Sequence, residues 1–299
     1  MKNLLKMSDL TREDINLILN KADQLKFEHK NGIEHRLLAG KTLAMIFNKS
    51  STRTRVSFEA GMYQLGGHAL FLSSADLQIS RGEPLEDTAR VLFRYVDGIM
   101  IRTFAQQEVE DLALHSGLPV VNGLTDYAHP CQSLANLMTV RENFAYLEGL
   151  KACYIGDGNN VCNSFVVGCV ISGMTVTVAC PEGYEPHPDV LKLAGDKLTI
   201  TRDPKEAALG ADVVYTDVWM SMGQEEEART RKEVFGNYQV NSELMKLASK
   251  DAIVLHCLPA HRGEEITAEV FDAHAGVIFD EAENRLHAQK AVLAILMGG

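Results

Sequence analysis

The sequence predicts an α/β protein: two doubly wound parallel-sheet α/β domains joined by interdomain helices. Three observations carry that expectation. Short apolar runs recur along the chain with helix-period stretches between them, the pattern of parallel strands buried on both faces. The runs fall into two series, 42–122 and 151–257, divided by a helical stretch at 130–146. At 299 residues the chain is too long for one small core and about right for two.

Taken in order, an amphipathic helix comes first, near 11–29, with Ile15, Ile18, Leu19, Ala22 and Leu25 on one face. The first series of buried strands is TLAMIF (42–47), ALFL (69–72), GIMI (98–101) and PVVN (119–122), with helical patterns near 53–65, 84–94 and 106–116. In the helix from 53, Val56, Ala60 and Tyr63 share one face, and Phe58, Met62 and Leu65 a neighbouring one. The second series is KACYIG (151–156), TVTVAC (175–180), LTIT (198–201), DVVYT (212–216) and AIVLHC (252–257). The stretch 130–146 bridges the two, and a final helical run at about 284–297 returns to the first. The expected domains are therefore 1–135, with the C-terminal helix of about 284–299, and 136–283.

Composition narrows the function. With 40 acidic against 29 basic side chains and a net charge of -11, a nucleic-acid surface is excluded, so any anion site must be local. No window approaches 18 uninterrupted apolar residues, so no membrane span is expected. The start, MKNLLKMSDLTREDIN, turns acidic too soon for a signal peptide and lacks an Arg-rich transit pattern, which points to the cytoplasm. Six cysteines show no C-x-x-C metal spacing, so no metal is expected; only Cys131 in HPCQ and Cys257 in HCLP have unusual surroundings.

Ligands of open α/β sheets bind beyond the carboxyl ends of the strands. Beyond strand 42–47 lies SSTRTR, where Ser51, Thr52 and Thr54 offer hydroxyls and Arg53 a forked cation at a helix N-terminus. Unpaired N–H groups and the helix dipole make that a phosphate cradle without Walker glycines, although a Ser/Thr helix cap with two solvated arginines reads equally well from the turn alone. Arg53 and Arg55 lie two residues apart, ~200° around a helix, so both cannot face one phosphate. Arg53 is the ligand, and Arg55 pairs with Glu59 four residues on. Strand 98–101 runs into Arg102, and beyond 119–122 come His129 and Gln132, with Pro130 suited to a first helical turn. In the second series GDGNNV resembles a dinucleotide turn, but Val161 replaces its third glycine and no acid stands at the ribose position, so no nucleotide cofactor is expected.

Together SSTRTRVSFEAG, HPCQ, GDGNN, DVWMSMG and HCLPAHRGEEIT resemble the aspartate/ornithine carbamoyltransferase superfamily, specifically its ornithine branch, over effectively the whole chain. The resemblance implies two small-molecule partners, carbamoyl phosphate and L-ornithine, and no cofactor. Ser51, Thr52, Arg53 and Thr54 would bind the phosphate, and Arg102 would bridge phosphate and carbonyl oxygens. His129 and Gln132 would hold the carbonyl oxygen and carbamoyl NH2, with Arg285 a further ligand. Gln78, in SSADLQISRGEP, matches a glutamine donated by a neighbouring subunit, which implies a trimer with shared sites. Asn160 would hold the amino acid's carboxylate, Asp217 its α-ammonium, and Ser221 and Met222 the rest of the amino-acid portion. Cys257 would sit beside the δ-nitrogen and the Leu258 carbonyl on the carbamoyl NH2, with a cis bond at Leu258–Pro259.

The resemblance also implies direct attack of the neutral δ-amine after domain closure, with Arg102 and His129 stabilising the oxyanion and Asp217 and Cys257 helping to select the neutral amine. The product is citrulline, within arginine metabolism. Two alternatives stand beside this reading: a carbamoyltransferase for putrescine or N-acetylornithine, and a non-catalytic anion- or nucleotide-binding α/β protein.

Overall fold

The computed structural model describes residues 1–73, 75, 77–78, 82–220 and 228–298. The chain divides into two compact units, one of Met1–Ala135 with Arg285–Gly299, the other of Asn136–Asn284.

In the first unit α1 (Arg12–Lys30) starts from a capping box. Thr11 accepts from the Asp14 N–H, and the Asp14 carboxylate accepts from the Thr11 N–H. Its buried stripe contains Ile15, Ile18, Leu19, Ala22 and Leu25, as the spacing implies. Strands β1 (Thr42–Phe47), β2 (His68–Ser73), β3 (Gly98–Arg102) and β4 (Val120–Leu124) form one parallel sheet in the order β2-β1-β3-β4. Helices α2 (Thr52–Gln64), α3 (Leu85–Leu92) and α4 (Gln106–Ser116) make the connections. On α2, Phe58 and Met62 are buried, with Leu65 at the C-cap, whereas Val56 and Tyr63 are exposed, so only one of the two faces read from the sequence packs inward.

One expectation is corrected. The run ALFL reads as a buried strand, but β2 is the edge of its sheet, flanked by β1 alone, and Leu70 and Phe71 are exposed. An apolar run reports strand formation but not how many neighbours the strand acquires.

The second unit holds β5 (Lys151–Ile155), β6 (Thr175–Ala179), β7 (Leu198–Thr201), β8 (Val213–Thr216) and β9 (Ile253–His256), parallel throughout, in the order β7-β6-β5-β8-β9. Its helices include α6 (Asn160–Ile171), α7 (Pro188–Ala194), α8 (Pro204–Ala208), α9 (Ala228–Phe235), α10 (Ser242–Met245) and α11 (Ala268–Ala273). The unit boundaries fall inside α5 (Pro130–Phe144) and α12 (Ala275–Met297). Helix α12 begins nine residues before the run expected at 284, because Gly276 in its first turn interrupts the helical signal.

Both sheets reverse their winding once. In the first the reversal lies between β1 and β3, in the second between β5 and β8. These are the topological switch points, where carboxyl-end loops diverge and leave a crevice. Among the described residues no helix is long and apolar enough to cross a membrane.

One feature of the first core is costly. Lys290 of α12 is fully buried, and its Nζ donates to His35 Nε2 at 2.7 Å and Gln64 Oε1 at 2.9 Å. Gly61 makes room for the stem, since a Cβ there would lie 3.2 Å from Lys290 Cγ. Burial lowers the Lys290 pKa from 10.5 to about 8, while burial and the nearby Lys290 charge keep His35 below its ordinary value. Between these two values the unfolded chain binds more protons than the folded one at this residue. The Lys290 contribution therefore turns in favour of folding as pH rises from about 8 towards 10.5, and its full penalty applies below about 8. Denaturant titrations of the natural chain and of Lys290→Met, at about pH 7.5 and about pH 9.5, should show wild-type stability gaining on the variant at the higher pH. A pH-independent difference between the two proteins would contradict this account.

Candidate active site

The carboxyl ends of β1, β3 and β4 deliver the polar residues of the first unit. Beyond β1, the Asn48 N–H donates to the Arg102 carbonyl at 2.8 Å and its side chain to Thr103 Oγ1 at 2.7 Å, tying this loop to the end of β3. Ser51 then caps α2, accepting from the Thr54 N–H at 3.2 Å. Thr52 and Arg53 are exposed in that first helical turn, and Thr54 is buried. Ser51 is thus a helix cap, and it orders the turn that presents Thr52 and Arg53. Arg55 points elsewhere, with Nε donating to Glu59 Oε1 at 3.0 Å and the guanidinium 3.7 Å over the Phe71 ring.

Arg102, the last residue of β3, is buried, and a bulge aims it. Ile101 pairs with Asn122, but Arg102 pairs with Leu124, so Gly123 is extra. A Cβ there would meet Met100 Sδ at 2.7 Å and the Ile101 carbonyl oxygen at 3.2 Å, so a larger residue would have to displace the methionine side chain. His129 precedes α5, whose Gln132 N–H returns to the His129 carbonyl at 3.1 Å. Arg285 closes the group. Its Nη1 donates to Gln132 Oε1 at 2.9 Å, Nη2 to Thr54 Oγ1 at 3.3 Å and Nε to Gln289 Oε1 at 3.1 Å. Gln289 in turn donates to Ser57 Oγ at 2.6 Å. The sequence reading missed Gln289. Its only signal is a polar residue four positions after Arg285 on a helix face otherwise rich in Ala, Val and Leu.

The electrostatics follow from this packing. Burial, and then the guanidinium groups of Arg285, Arg102 and Arg53, hold His129 well below the ordinary histidine pKa. His129 is a neutral imidazole surrounded by cations. Cys131 is buried beside it, its thiol pushed up to about 11 and donating to the Asn122 carbonyl at 3.4 Å. That is a packing role. Such a set suits an anion joined to a carbonyl: cations and a helix N-terminus for the charge, a neutral N–H for the oxygen. Gln78, beyond β2, is exposed.

In the second unit the ends of β5, β8 and β9 converge. Gly158 lets the loop after β5 pass close to the backbone of residues 184–186, where a Cβ would come within 2.4 Å of Glu185. Asn159 caps α6 from the Val161 and Cys162 N–H groups, and its side-chain amide donates to Asp217 Oδ2 at 3.1 Å. Asn160, the residue singled out from the sequence, is half-buried next to it, its Oδ1 accepting from the Val161 N–H at 3.0 Å. Asp217 is buried immediately beyond β8, and its Oδ1 accepts from the Val218 N–H at 2.8 Å and the Cys257 thiol at 2.9 Å. Asp157, also missed, forms a buried ion pair with Arg231 of α9. Cys257 and Leu258 follow β9, and the Leu258–Pro259 bond is cis. Ser221 and Met222 lie outside the described residues. The structure therefore brings Asp217 and Cys257 into direct contact and places Asn160 one residue from Asn159, which holds Asp217.

Among the described residues two groups bring three metal-ligand atoms within 4.8 Å of one another: Asp217, His256 and Cys257, and His261, Glu264 and Glu265. In the first the thiol is bonded to Asp217 and both His256 ring nitrogens have partners. In the second Lys232 bonds Glu264. The first is a hydrogen-bond network rather than an open ligand set.

Residues 2–142 match the family model described as aspartate/ornithine carbamoyltransferase, carbamoyl-P binding domain, and residues 148–296 match the corresponding Asp/Orn binding domain. The chain is 58% identical to an ornithine carbamoyltransferase of Carboxydothermus hydrogenoformans, over 99% of this chain and 98% of that one. It is 54% identical to that of Thermococcus kodakarensis, over 100% and 97%. The solved ornithine carbamoyltransferase of Pyrococcus furiosus superposes with a TM-score of 0.96 at 53% identity, covering 100% of this chain and 97% of that one.

The different surroundings of the two arginines on α2 yield a test. Charge-assisted hydrogen bonds contribute about 1.5–3 kcal/mol, so Arg53→Ala should weaken calorimetric binding of inorganic phosphate by roughly 10–100-fold. Arg55→Ala should leave phosphate affinity within about twofold and lower stability by less than about 1.5 kcal/mol, the scale of one exposed ion pair and one cation–π contact. Equal losses of affinity in two folded variants would refute the division.

Proposed function

The chain belongs to the aspartate/ornithine carbamoyltransferase family, and from that premise we propose that it transfers the carbamoyl group of carbamoyl phosphate to the δ-amine of L-ornithine, giving L-citrulline and phosphate. The observation that carries this reading is the buried Arg285 fork, bonded to Thr54 and Gln132 and grouped with Arg102 around a neutral His129. Few ligands need a phosphate cradle and a neutral carbonyl donor side by side; a carbamoyl phosphate does.

In this reading the first unit holds carbamoyl phosphate. Thr52, Arg53 and the α2 N-terminus take the phosphate, with Ser51 and Thr54 shaping that turn. Arg102 spans phosphate and carbonyl, and His129 donates to the carbonyl oxygen. Arg285 fixes the Gln132 amide so that its oxygen faces the guanidinium. Ornithine belongs to the second unit, with its α-ammonium on Asp217 and its carboxylate at Asn160, while Ser221 and Met222 are assigned to the amino-acid portion. Cys257 stands at the δ-nitrogen and the Leu258 carbonyl at the carbamoyl NH2.

The neutral δ-nitrogen gives its lone pair to the carbonyl carbon, and the π pair moves onto oxygen. Arg102 and His129 stabilise that oxyanion, a role worth about 2.7–4 kcal/mol per donor in comparable sites. Collapse breaks the carbon–oxygen bond to phosphate, which leaves carrying its electron pair, and the attacking nitrogen sheds a proton. An amine of lysine type is mostly protonated at neutral pH, so the rate should rise with pH. A carboxylate beside an amine favours its protonated form, so in this reading selection of the neutral δ-amine falls to the Cys257 thiol, which is hydrogen-bonded to Asp217 Oδ1.

A carboxylate here selects against aspartate as acceptor and favours a cationic amino acid. Gln78, exposed beyond an edge strand with exposed Leu70 and Phe71, supports a trimer in which this residue serves a neighbouring site. The family's reaction and the absence of disulfides among the described residues are consistent with a cytoplasmic enzyme.

The deciding experiment is a citrulline assay with carbamoyl phosphate and a panel of amines. Ornithine should turn over, with putrescine and N-acetylornithine far behind; preferential carbamoylation of either would replace ornithine with that amine. Phosphate binding without carbamoylation of any amine would favour the non-catalytic alternative. Asp217→Asn should lower kcat/KM for ornithine by roughly 10–100-fold, the scale of one charged hydrogen bond. Cys257→Ala should alter the pH–rate profile, and an unchanged profile would remove Cys257 from amine selection.

A further inference from the structure

Helix α12 meets α2 along a polar seam. On α2 the seam is Thr54, Ser57, Gly61 and Gln64, whose spacing puts them on one helical face. On α12 it is Arg285, Gln289 and Lys290, all buried. Arginine can only donate, so the Arg285 Nε bond at 3.1 Å puts the oxygen of the Gln289 amide against the guanidinium. The amide nitrogen is then turned to Ser57, donating to Oγ at 2.6 Å, and the Ser57 hydroxyl donates to the Thr54 carbonyl at 3.2 Å. Arg285 Nη2 returns to Thr54 Oγ1 at 3.3 Å, which closes a ring of hydrogen bonds that begins and ends on one residue of the first α2 turn. Further along the seam, Lys290 passes Gly61 and donates to Gln64 Oε1 at 2.9 Å.

We propose that Ser57 and Gln289 are positioning residues that fix Arg285 and the first turn of α2 as one unit, aligned for phosphate. The inference rests on the reading of Arg285 and that turn as the carbamoyl phosphate site. Apolar contacts are non-directional, whereas each polar link of this seam is satisfied in one register only. A slide of α12 by one residue, about 1.5 Å, would leave a buried guanidinium N–H and a buried amide unpaired. The charged member sets the direction of every bond in the ring. Loss of either neutral member therefore leaves Arg285 without part of its frame. Neither Ser57 nor Gln289 touches substrate in this assignment; both act through Arg285 and Thr54.

Three variants separate this role from general packing. Gln289→Met keeps the length of the side chain and removes both bonds, Ser57→Ala removes the acceptor of the amide, and Ser57→Thr keeps the hydroxyl. Calorimetric affinity for inorganic phosphate should fall roughly 3–10-fold in each of the first two, as for one hydrogen bond, and stay within about twofold of the natural chain in Ser57→Thr. Because the ring acts as a unit, Gln289→Met and Ser57→Ala combined should lose no more than the worse single change. In citrulline assays KM for carbamoyl phosphate should rise by the same factor, with KM for ornithine unchanged. Phosphate affinity kept within about twofold in Gln289→Met and Ser57→Ala, losses that multiply in the double variant, or losses that follow Tm alone would overturn the inference. Arginine-selective 15N spectra read the ring without activity. The Arg285 Nε–H, identified by the signal missing from Arg285→Lys, should exchange slowly with solvent in the natural chain. In Gln289→Met it should exchange about tenfold faster or more, the effect of losing one charged hydrogen bond. Equal exchange rates would overturn the proposal. If the natural chain bound phosphate yet carbamoylated no amine, the proposed function would fail, and the phosphate titrations and exchange rates would still decide whether the ring holds Arg285.

Discussion

Parallel strands cannot be joined by a tight turn, and much of the structure follows from that constraint. Each crossover must be long enough to carry a helix or an extended loop across a face of the sheet, so interior strands are covered on both sides and become almost wholly apolar. All strands of a sheet also finish at the same edge. Where the winding reverses, between β1 and β3 and again between β5 and β8, the loops leave in opposite directions and polar side chains gather without interrupting the core. Arg102, Asp217 and Cys257 occupy the last strand residue or the position immediately beyond it. They can be polar because hydrogen bonding within the sheet is complete by then.

The polar clusters of the two units carry opposite charge. An acidic chain buries Arg102 and Arg285 in its first unit, and burial, reinforced by the same field that would attract a phosphate, keeps His129 well below the ordinary histidine pKa. A charged imidazole there would add to the repulsion and could not stay buried; a neutral one still has an N–H to offer to a carbonyl oxygen. The second unit presents the reverse, a buried carboxylate with a thiol and an amide bonded to it. In the proposed function the first environment suits an anionic acyl donor and the second a cationic amino-acid acceptor.

Strand positions and the Arg55–Glu59 pair were legible because the forces behind them are local: apolar periodicity and a four-residue helical spacing. The edge position of β2 was not, since it depends on which strands arrive later in the chain. Resemblance led to Arg285, but its partner Gln132 is 153 residues away, and no spacing rule connects them. Gln289 and Asn159 were missed because a polar residue on a buried face looks the same in sequence whether it supports a ligand-binding arginine or merely satisfies a backbone group. Gly123 marks a bulge visible only once β3 and β4 are in register. His256 and Glu265 lie nine residues apart in HCLPAHRGEEIT, and their contact forms only when the turn closes on itself.

Ser51 shows how a bland reading and a sharp one can be the same fact. Its oxygen accepts the Thr54 N–H, as any helix cap would, and by itself that explains the hydroxyl without a ligand. Yet a cap also fixes the direction of the first helical turn, and Thr54 is further held by Arg285, which Gln289 and Gln132 orient. The donors of that turn are consequently aligned before any anion arrives. A site that reorganised on binding would spend part of the binding energy on ordering its own donors; one held by a cap and a buried guanidinium retains it for the developing oxyanion. If the proposed function holds, the cap is part of the phosphate site's preorganisation, and the hydroxyl that reads as an ordinary helix start serves the chemistry by being one.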